Sequence, residues 1–224
     1  MSWRALVDVG YWDPGVVSED SRIFLQCLFR YDGDYEVTPL YTPVSMNTVY
    51  IGENRWKTIV AQYKQIRRWG WGVEHTPFMI RELFLSGKSK MSLRMKLYFI
   101  FIQSEGMYSW ATAPMILFIM GRLPMWIATT RGNTSAVFYN APHILEWLMT
   151  IAMIGLFATA IFYVILLPVR PRKYHWMHYP IMFLQWVFFP ITMIIFGAIP
   201  SIDAQTRLMF GGKFRLGFNV TAKK

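Results

Sequence analysis

The sequence predicts a mixed α/β globular part that is followed by a mostly α-helical membrane region. The chain of 224 residues is 54% apolar yet carries a net charge of +10. This balance is too apolar for an ordinary soluble domain and too charged for a chain that lies wholly within a membrane. Polar residues are concentrated in residues 1–96, whereas long uncharged runs fill the remainder. The chain therefore consists of a polar N-terminal part followed by an apolar C-terminal part.

The first predicted helix of interest begins after Ser18 and ends near Arg30. Ser18 is a favourable N-cap, and Glu19 and Asp20 fall in the first turn, where the helix dipole favours negative charge. A carboxylate in this place can accept a proton from a substrate hydroxyl, but helix capping alone accounts for the same residues. The single cysteine, Cys27, lies within this helix and is expected to be buried and unreactive.

A turn is predicted at Asp32-Gly33-Asp34, between this helix and a strand-like stretch at residues 35–40. Two carboxylates one residue apart resemble a metal-binding pair, but Asp-Gly is also a tight-turn signal, and its place between two elements favours the turn. His75 follows Glu74, but a lone histidine is more often a hydrogen-bonded structural residue than a metal ligand, so a structural role is favoured. No metal site is predicted, and the sequence contains no nucleic-acid-binding motif.

A second helix is predicted over residues 54–69, where apolar residues recur at helical spacing and form one stripe that should face the core. The stripe consists of Trp56, Ile59, Val60, Tyr63 and Ile66. Gln65, Arg68 and Trp69 are three and four positions apart and share another face. An amide and a guanidinium can donate to phosphate oxygens, and an indole can stack on a sugar ring. A plain amphipathic helix produces the same spacing, so that alternative stays open.

The membrane region is predicted from uncharged runs at residues 147–169 and 179–202, and from a third span at about 107–127. Basic and apolar residues interleave over residues 88–105, which predicts an amphipathic helix at the membrane surface. The short basic loop at residues 170–175 should be cytoplasmic, and this orientation places the N-terminal part in the cytoplasm. We expect a multi-pass protein of the plasma (inner) membrane with two or three apolar helices.

Three short motifs follow one another along the chain in the order Ser18-Glu19-Asp20, Gln65-x-x-Arg68-Trp69 and Phe218-x-Val220-Thr221-x-Lys223. In this order they resemble the C-terminal half of a membrane-embedded family 2 glycosyltransferase, the group of the cellulose synthases and hyaluronan synthases. The resemblance covers nearly the whole chain. It implies a remnant of a GT-A-like α/β catalytic domain in residues 1–87, an interface helix in residues 88–105, a membrane region in residues 106–202, and a basic tail with a gating-like motif in residues 203–224.

The resemblance also implies an activity and a set of site residues. The chain would be part of an enzyme that transfers a sugar from a nucleotide-sugar donor to a growing polysaccharide or another glycan acceptor. Asp20 would deprotonate the acceptor hydroxyl as the general base. The other implied substrate contacts are Glu19, Gln65, Arg68, Trp69, Thr221 and Lys223. Thr221 and Lys223 would act from a gating loop that closes over the nucleotide.

One departure from the family's pattern concerns the donor-binding half, which carries Asp-x-Asp metal ligands and should precede the base. Only residues 1–17 precede Ser18 here. We therefore expect a truncated chain that is inactive alone, whose complete enzyme uses Mg²⁺ or Mn²⁺ on ligands absent from this chain, and whose missing half a separate chain could supply. The alternative is a non-catalytic membrane subunit or scaffold. The expected partners are donor, acceptor and lipid bilayer, with no nucleic acid.

Overall fold

The computed structural model describes residues 1–42, 54–132, 136–166, 180, 184 and 186–216. Within these residues the regular secondary structure is entirely helical and contains no strand. The predicted α/β class is therefore wrong for the described part of the chain. Residues 35–40, predicted as strand-like, have no regular structure. A single extended stretch cannot pair its backbone groups without a neighbouring strand, and the described residues provide none.

The chain divides into two compact units. The first combines Met1–Thr112 with Phe196–Lys224, and the second is Ala113–Ile195. The α-helices of the described residues are, in chain order, α1 (Trp3–Asp8), α2 (Glu19–Arg30), α3 (Arg55–Gly70), α4 (His75–Ile80), α5 (Leu93–Met120), α6 (Leu123–Arg131), α7 (Ala136–Leu166), α8 (Phe189–Met193) and α9 (Ile199–Phe210). Short 3₁₀ or π-helical segments are Trp71–Glu74, Arg81–Leu85, Ile194–Ala198 and Gly212–Phe214.

Helix α2 has the predicted bounds and contributes one face to the core of the first unit. The buried side chains of this core are Leu25, Leu28, Met79, Leu83 and Met91. Cys27 is fully buried, as expected. Burial of such side chains stabilises each by about 1.5–3 kcal/mol, which anchors α2 against α4 and the start of α5.

The Asp-Gly turn after α2 is confirmed. Asp32 and Gly33 both have positive φ angles, of 50° and 94°, a conformation that Gly and Asp tolerate better than most residues. The Gly33 backbone N–H donates to the carbonyl oxygen of Leu28 at 2.8 Å and so closes the helix end. The Asp32 side chain accepts from the Lys90 backbone N–H at 2.7 Å, so this carboxylate ties the turn to the segment before α5.

Helix α3 lies within one residue of its predicted bounds at each end, but its predicted core stripe is wrong in part. Asn54 caps the helix, because its Oδ1 accepts from the Lys57 backbone N–H at 3.0 Å. Trp56 is 71% exposed and Ile59 is 42% exposed, so this end of the stripe faces away from the core. Helix α3 packs against α9 instead, near Gly70, where a Cβ atom would lie 2.9 Å from the Cα of Ser201.

The second unit contains a helical stretch suited to a membrane. Within the described residues, Asn140–Leu166 is the one stretch long and apolar enough to cross a bilayer, with a mean hydropathy of 2.3 and few buried side chains. The span predicted at about 107–127 is interrupted, because α5 ends at Met120 and α6 begins at Leu123. The described residues therefore support membrane association through one candidate span and do not support the predicted multi-pass arrangement.

The apolar run at residues 179–202 lies partly outside the described residues. From Phe189 the chain is helical through Phe210, since α8, the π-helical segment and α9 follow one another directly. Ser201 and Ala204 of α9 are fully buried. The last part of this predicted membrane run thus belongs to the packed first unit, in contact with α3.

Candidate functional site

A cavity of about 350 Å³ lies within the first unit, between the beginning of α2, the end of α3 and the middle of α5. The residues that line it are Val17, Ser18, Asp20, Ser21, Arg68, Trp69, Met107 and Trp110. The structure thus brings three of the predicted site residues, Asp20, Arg68 and Trp69, to the wall of one cavity. A carboxylate, a guanidinium and indole rings together can engage an acidic ligand that also carries an apolar face.

Asp20 occupies the first turn of α2 and is exposed. Its Oδ1 accepts a hydrogen bond from the Ser21 backbone N–H at 2.9 Å. This bond fixes the carboxylate at the open end of the helix, where the unpaired backbone N–H groups favour negative charge. A carboxylate held in this way can accept a proton from a hydroxyl group that enters the cavity.

Arg68 and Trp69 lie in the last turn of α3, and their neighbours decide where they point. Arg67 and Gly70 are three positions apart and both contact α9. Arg68 and Trp69 are therefore rotated away from α9 and reach the cavity. Trp69 remains 42% exposed, so its ring is available to a ligand.

The contact between α3 and α9 centres on Asp203. Its Oδ2 accepts from Arg67 Nη1 at 2.9 Å and from the Tyr63 hydroxyl at 3.2 Å, while its Oδ1 accepts from Arg207 Nε at 2.6 Å. Partial burial raises the pKa of Asp203, but the hydrogen bonds and charges of Arg67 and Arg207 outweigh it and lower that pKa below its ordinary value. The ionised carboxylate thus holds the end of α3 in place.

A second polar network lies behind the cavity wall and joins α2 to the segment after α3. Glu74 accepts from the Ser18 hydroxyl at 2.9 Å and from Trp71 Nε1 at 3.1 Å, and all three residues are buried. Ser18 occupies the N-cap position of α2, as predicted, but its side chain makes no capping hydrogen bond within the described residues. Its hydroxyl donates to Glu74 instead.

Two further ionisable side chains are buried next to this network. His75 is 2% exposed, and neither of its ring nitrogens has a hydrogen-bond partner among the described residues, so the predicted hydrogen-bonded role is wrong within that part of the chain. Burial, together with the charge of Arg22, lowers the pKa of His75 to about 4. Arg22 is 6% exposed, and its guanidinium lies 3.6 Å from the ring centroid of Phe78. That cation–π contact partly replaces the hydration that the guanidinium loses.

The remaining predicted site residues do not line the cavity or fall outside the described residues. Glu19 and Gln65 are absent from the lining, and the side-chain oxygen of Gln65 is buried with no hydrogen-bond partner in the described part of the chain. The gating contacts predicted for Thr221 and Lys223 lie outside the described residues. The motif on α3 is therefore divided, because Arg68 and Trp69 line the cavity and Gln65 does not.

Sequence reasoning missed five residues of this region: Val17, Ser21, Glu74, Met107 and Trp110. Met107 and Trp110 are three positions apart on α5, a spacing that places them on one helix face and could have been noticed. Which face of α5 meets α2 depends on tertiary packing, so the sequence alone did not direct them to Asp20. Glu74 carries no motif-level signal.

The donor metal implied by the resemblance finds no ligands in the part of the chain that the structure describes. No group of three or more His, Cys, Asp or Glu side chains converges there as a cation site would require. Asp32 and Asp34, the one closely spaced acidic pair considered above, belong to the turn after α2. The residues present do not fit the metal, which stays a prediction for a complete enzyme.

No known protein family, curated protein or solved structure matches this chain. The chemistry of the cavity is accordingly the basis for assigning a function.

Proposed function

We propose that this chain carries the acceptor side of a membrane glycosyltransferase site, with Asp20 as the general base. The observation that carries the proposal is the shared cavity, in which Asp20 of α2 meets Arg68 and Trp69 of α3. These residues come from separate helices, and each has the chemistry that sugar transfer from a nucleotide-sugar requires.

In the proposed reaction, an acceptor hydroxyl attacks the anomeric carbon of a nucleotide-sugar donor. A new bond forms between that carbon and the acceptor oxygen, and the bond to the donor diphosphate breaks. Asp20 accepts the proton of the attacking hydroxyl. Arg68 compensates the negative charge of the departing nucleoside diphosphate by charge-assisted hydrogen bonds.

The two indole rings of the cavity support a sugar as the occupant. Trp69 is partly exposed and Trp110 lines the same cavity. The apolar C–H faces of a pyranose stack favourably on such rings, while its hydroxyl groups remain free to bond to polar neighbours. Trp69 and Trp110 would therefore hold the acceptor with one hydroxyl directed toward Asp20.

The membrane assignment completes the proposal. Nucleotide-sugars are cytosolic, so the first unit would lie on the cytoplasmic side of the plasma (inner) membrane, with Asn140–Leu166 as an anchor. A multi-pass topology, and the passage of the acceptor into a membrane channel, belong to this proposal and would require spans besides Asn140–Leu166.

Ligand binding by the purified chain in lipid nanodiscs tests the proposal. Isothermal titration calorimetry would use UDP as the nucleotide probe, and cellotetraose or a hyaluronan tetrasaccharide as the acceptor probe. We expect Arg68→Ala to weaken UDP binding about tenfold or more and Trp69→Ala to weaken oligosaccharide binding by a similar factor. Asp20→Asn should preserve both affinities and abolish sugar transfer in native membranes.

Matched controls are available elsewhere in the first unit. Arg55→Ala and Trp56→Ala remove the same side-chain types from exposed positions at the other end of α3, and Asp34→Asn changes an exposed carboxylate outside the cavity. These variants should bind like the parent chain. If the parent binds neither probe, or if Arg68→Ala and Trp69→Ala bind as the controls do, the assignment fails, and a non-catalytic membrane subunit becomes the better description.

A further inference from the structure

The buried carboxylate of Glu74 connects the two helices that form the cavity. Its Oε1 accepts from Ser18, which lies two positions before Asp20. Its Oε2 accepts from the indole N–H of Trp71, which lies two positions after Trp69. One carboxylate oxygen is thus bonded near Asp20 on α2, and the other is bonded near Trp69 at the end of α3.

Because this arrangement is buried, its hydrogen bonds constrain the positions of the two helices. Glu74 is 8% exposed, Ser18 is 7% exposed and Trp71 is fully buried. A carboxylate that has lost its water depends on its protein hydrogen bonds, because an unsatisfied buried acceptor is costly. The two donors must therefore stay at bonding distance from one rigid, planar group, and this requirement restricts the separation of α2 from the end of α3.

The hydrogen bonding of the Ser18 hydroxyl supports this link between the helices, because the hydroxyl does not act as a helix cap. A serine at this position ordinarily accepts from a backbone N–H of the first helical turn. Here it makes no such bond and donates to Glu74. The hydroxyl of the Ser-Glu-Asp motif thus contributes to the placement of Asp20 through Glu74, and not through the helix cap.

We infer that Glu74 is a positioning residue for the cavity, which holds Asp20 in register with Arg68 and Trp69 by bonding Ser18 and Trp71 at once. Its effect on ligands rests on the proposed function, whereas its effect on the separation of the two helices does not. Glu74 touches no ligand itself, because it does not line the cavity.

Two substitutions separate geometry from charge. Glu74→Ala removes both acceptors and should release α2 from the end of α3. Glu74→Gln keeps the shape, and its amide can accept from Trp71 and donate to the oxygen of Ser18, so both links survive. If only the negative charge of Glu74 matters, both variants should disturb the site. If Glu74 positions the helices, Glu74→Gln should behave like the parent.

The first measurement needs no ligand. Nitroxide labels at Ser21→Cys on α2 and Lys64→Cys on α3 report the separation of the two helices by double electron–electron resonance, and the native Cys27 is fully buried and stays unlabelled. We expect a narrow distance distribution in the parent and in Glu74→Gln, and a broader or shifted one in Glu74→Ala. An unchanged distribution in Glu74→Ala overturns the inference.

The second measurement uses the unlabelled chain in nanodiscs with UDP and cellotetraose. Glu74→Ala should weaken binding of both probes about tenfold, and Glu74→Gln should bind within about twofold of the parent. In the distance measurement, the double variant Ser18→Ala/Glu74→Ala should match Glu74→Ala, because both substitutions remove the hydrogen bond between Ser18 and Glu74. A further broadening of the distribution in the double variant would contradict a shared role.

A destabilised control guards against general loss of structure. Leu83→Ala removes a buried side chain from the core that also contains Leu25 of α2. It should lower the Tm, and the changes in distance distribution and affinity that accompany this general destabilisation set the level that Glu74→Ala must exceed. If the parent binds neither probe, the proposed function fails, and the distance measurement still decides whether Glu74 joins the two helices.

Discussion

Arg67 donates a hydrogen bond from Nη1 to Oδ2 of Asp203 at 2.9 Å, although the two residues lie 136 positions apart. Both side chains are largely shielded from solvent, with exposed fractions of 16% and 24%. The pair fixes the last turn of α3 against α9, one residue before Arg68. The orientation of Arg68 in the cavity therefore depends on the ion pair between Arg67 and Asp203, which lies outside the cavity.

Asp203→Asn should destabilise the first unit by about 1–2 kcal/mol at pH 7, a value between those of exposed and fully buried ion pairs. The pKa of Asp203 is lowered in the folded state, so its contribution is fully present above its ordinary value of 3.8 and is lost as the pH falls below it. Urea unfolding at pH 7 measures the loss. Asp34→Asn, an exposed carboxylate, serves as the control; an equal effect of both changes would argue against the ion pair.

Gly70→Ala should weaken the packing of α3 on α9. The added Cβ would lie 2.9 Å from the Cα of Ser201, a backbone atom that cannot move aside easily. We expect a loss of about 1–3 kcal/mol, as for other overpacked sites. Gly106→Ala on α5 is the matched control, since no described residue lies within 4 Å of its added Cβ, and a helix gains up to about 1 kcal/mol from this change. Thermal unfolding of the two variants should shift in opposite directions.

The stability of the chain should decrease between about pH 6.5 and pH 4 because of His75. The pKa of His75 is about 4 in the folded state and 6.5 ordinarily. Between these pH values His75 is therefore protonated in the unfolded chain and largely unprotonated in the folded chain. The stability that this histidine contributes is complete above pH 6.5, and its loss approaches about 3 kcal/mol at pH 4. His75→Leu should flatten this part of the pH profile in urea unfolding. A profile unchanged by the substitution would contradict the burial of an unprotonated imidazole.

Ile154→Arg should impair membrane integration. Ile154 lies in the middle of Asn140–Leu166 and is 67% exposed, as a lipid-facing residue would be. Arginine at the centre of a span costs about 2.5–3.5 kcal/mol on insertion scales. Resistance to carbonate extraction from membranes measures the effect. Leu40→Arg, at an 87% exposed position of the first unit, should remain as resistant as the parent.

Two of the three helices around the cavity, α2 and α3, could be predicted from local signals. The acidic first turn marks the beginning of α2, and apolar residues at helical spacing indicate α3. The Asp-Gly turn after α2 was also predicted, because a positive φ angle restricts the residues that can occupy it. In these places the sequence signal and the structural constraint lie within a few residues of each other.

The errors concern relations between distant elements. The stripe from Trp56 was expected in the core, but α3 packs on α9 through Asp203 and Gly70, which no local spacing can reveal. The expected span at about 107–127 ignored the two-residue turn before Leu123. Gln65 was grouped with Arg68 because they share a helix face, but one face of a helix covers a wide arc, and the two residues have different surroundings.

The interrupted path of the first unit imposes an order on biosynthesis. Its early segment ends at Thr112 and its late segment begins at Phe196, with the whole second unit translated between them. Tyr63 and Arg67 emerge from the ribosome long before their acceptor Asp203. Helix α3 can therefore pack against α9 only after the apolar second unit has been synthesised. Until then, the face of α3 that α9 later covers is accessible to chaperones and to the insertion machinery.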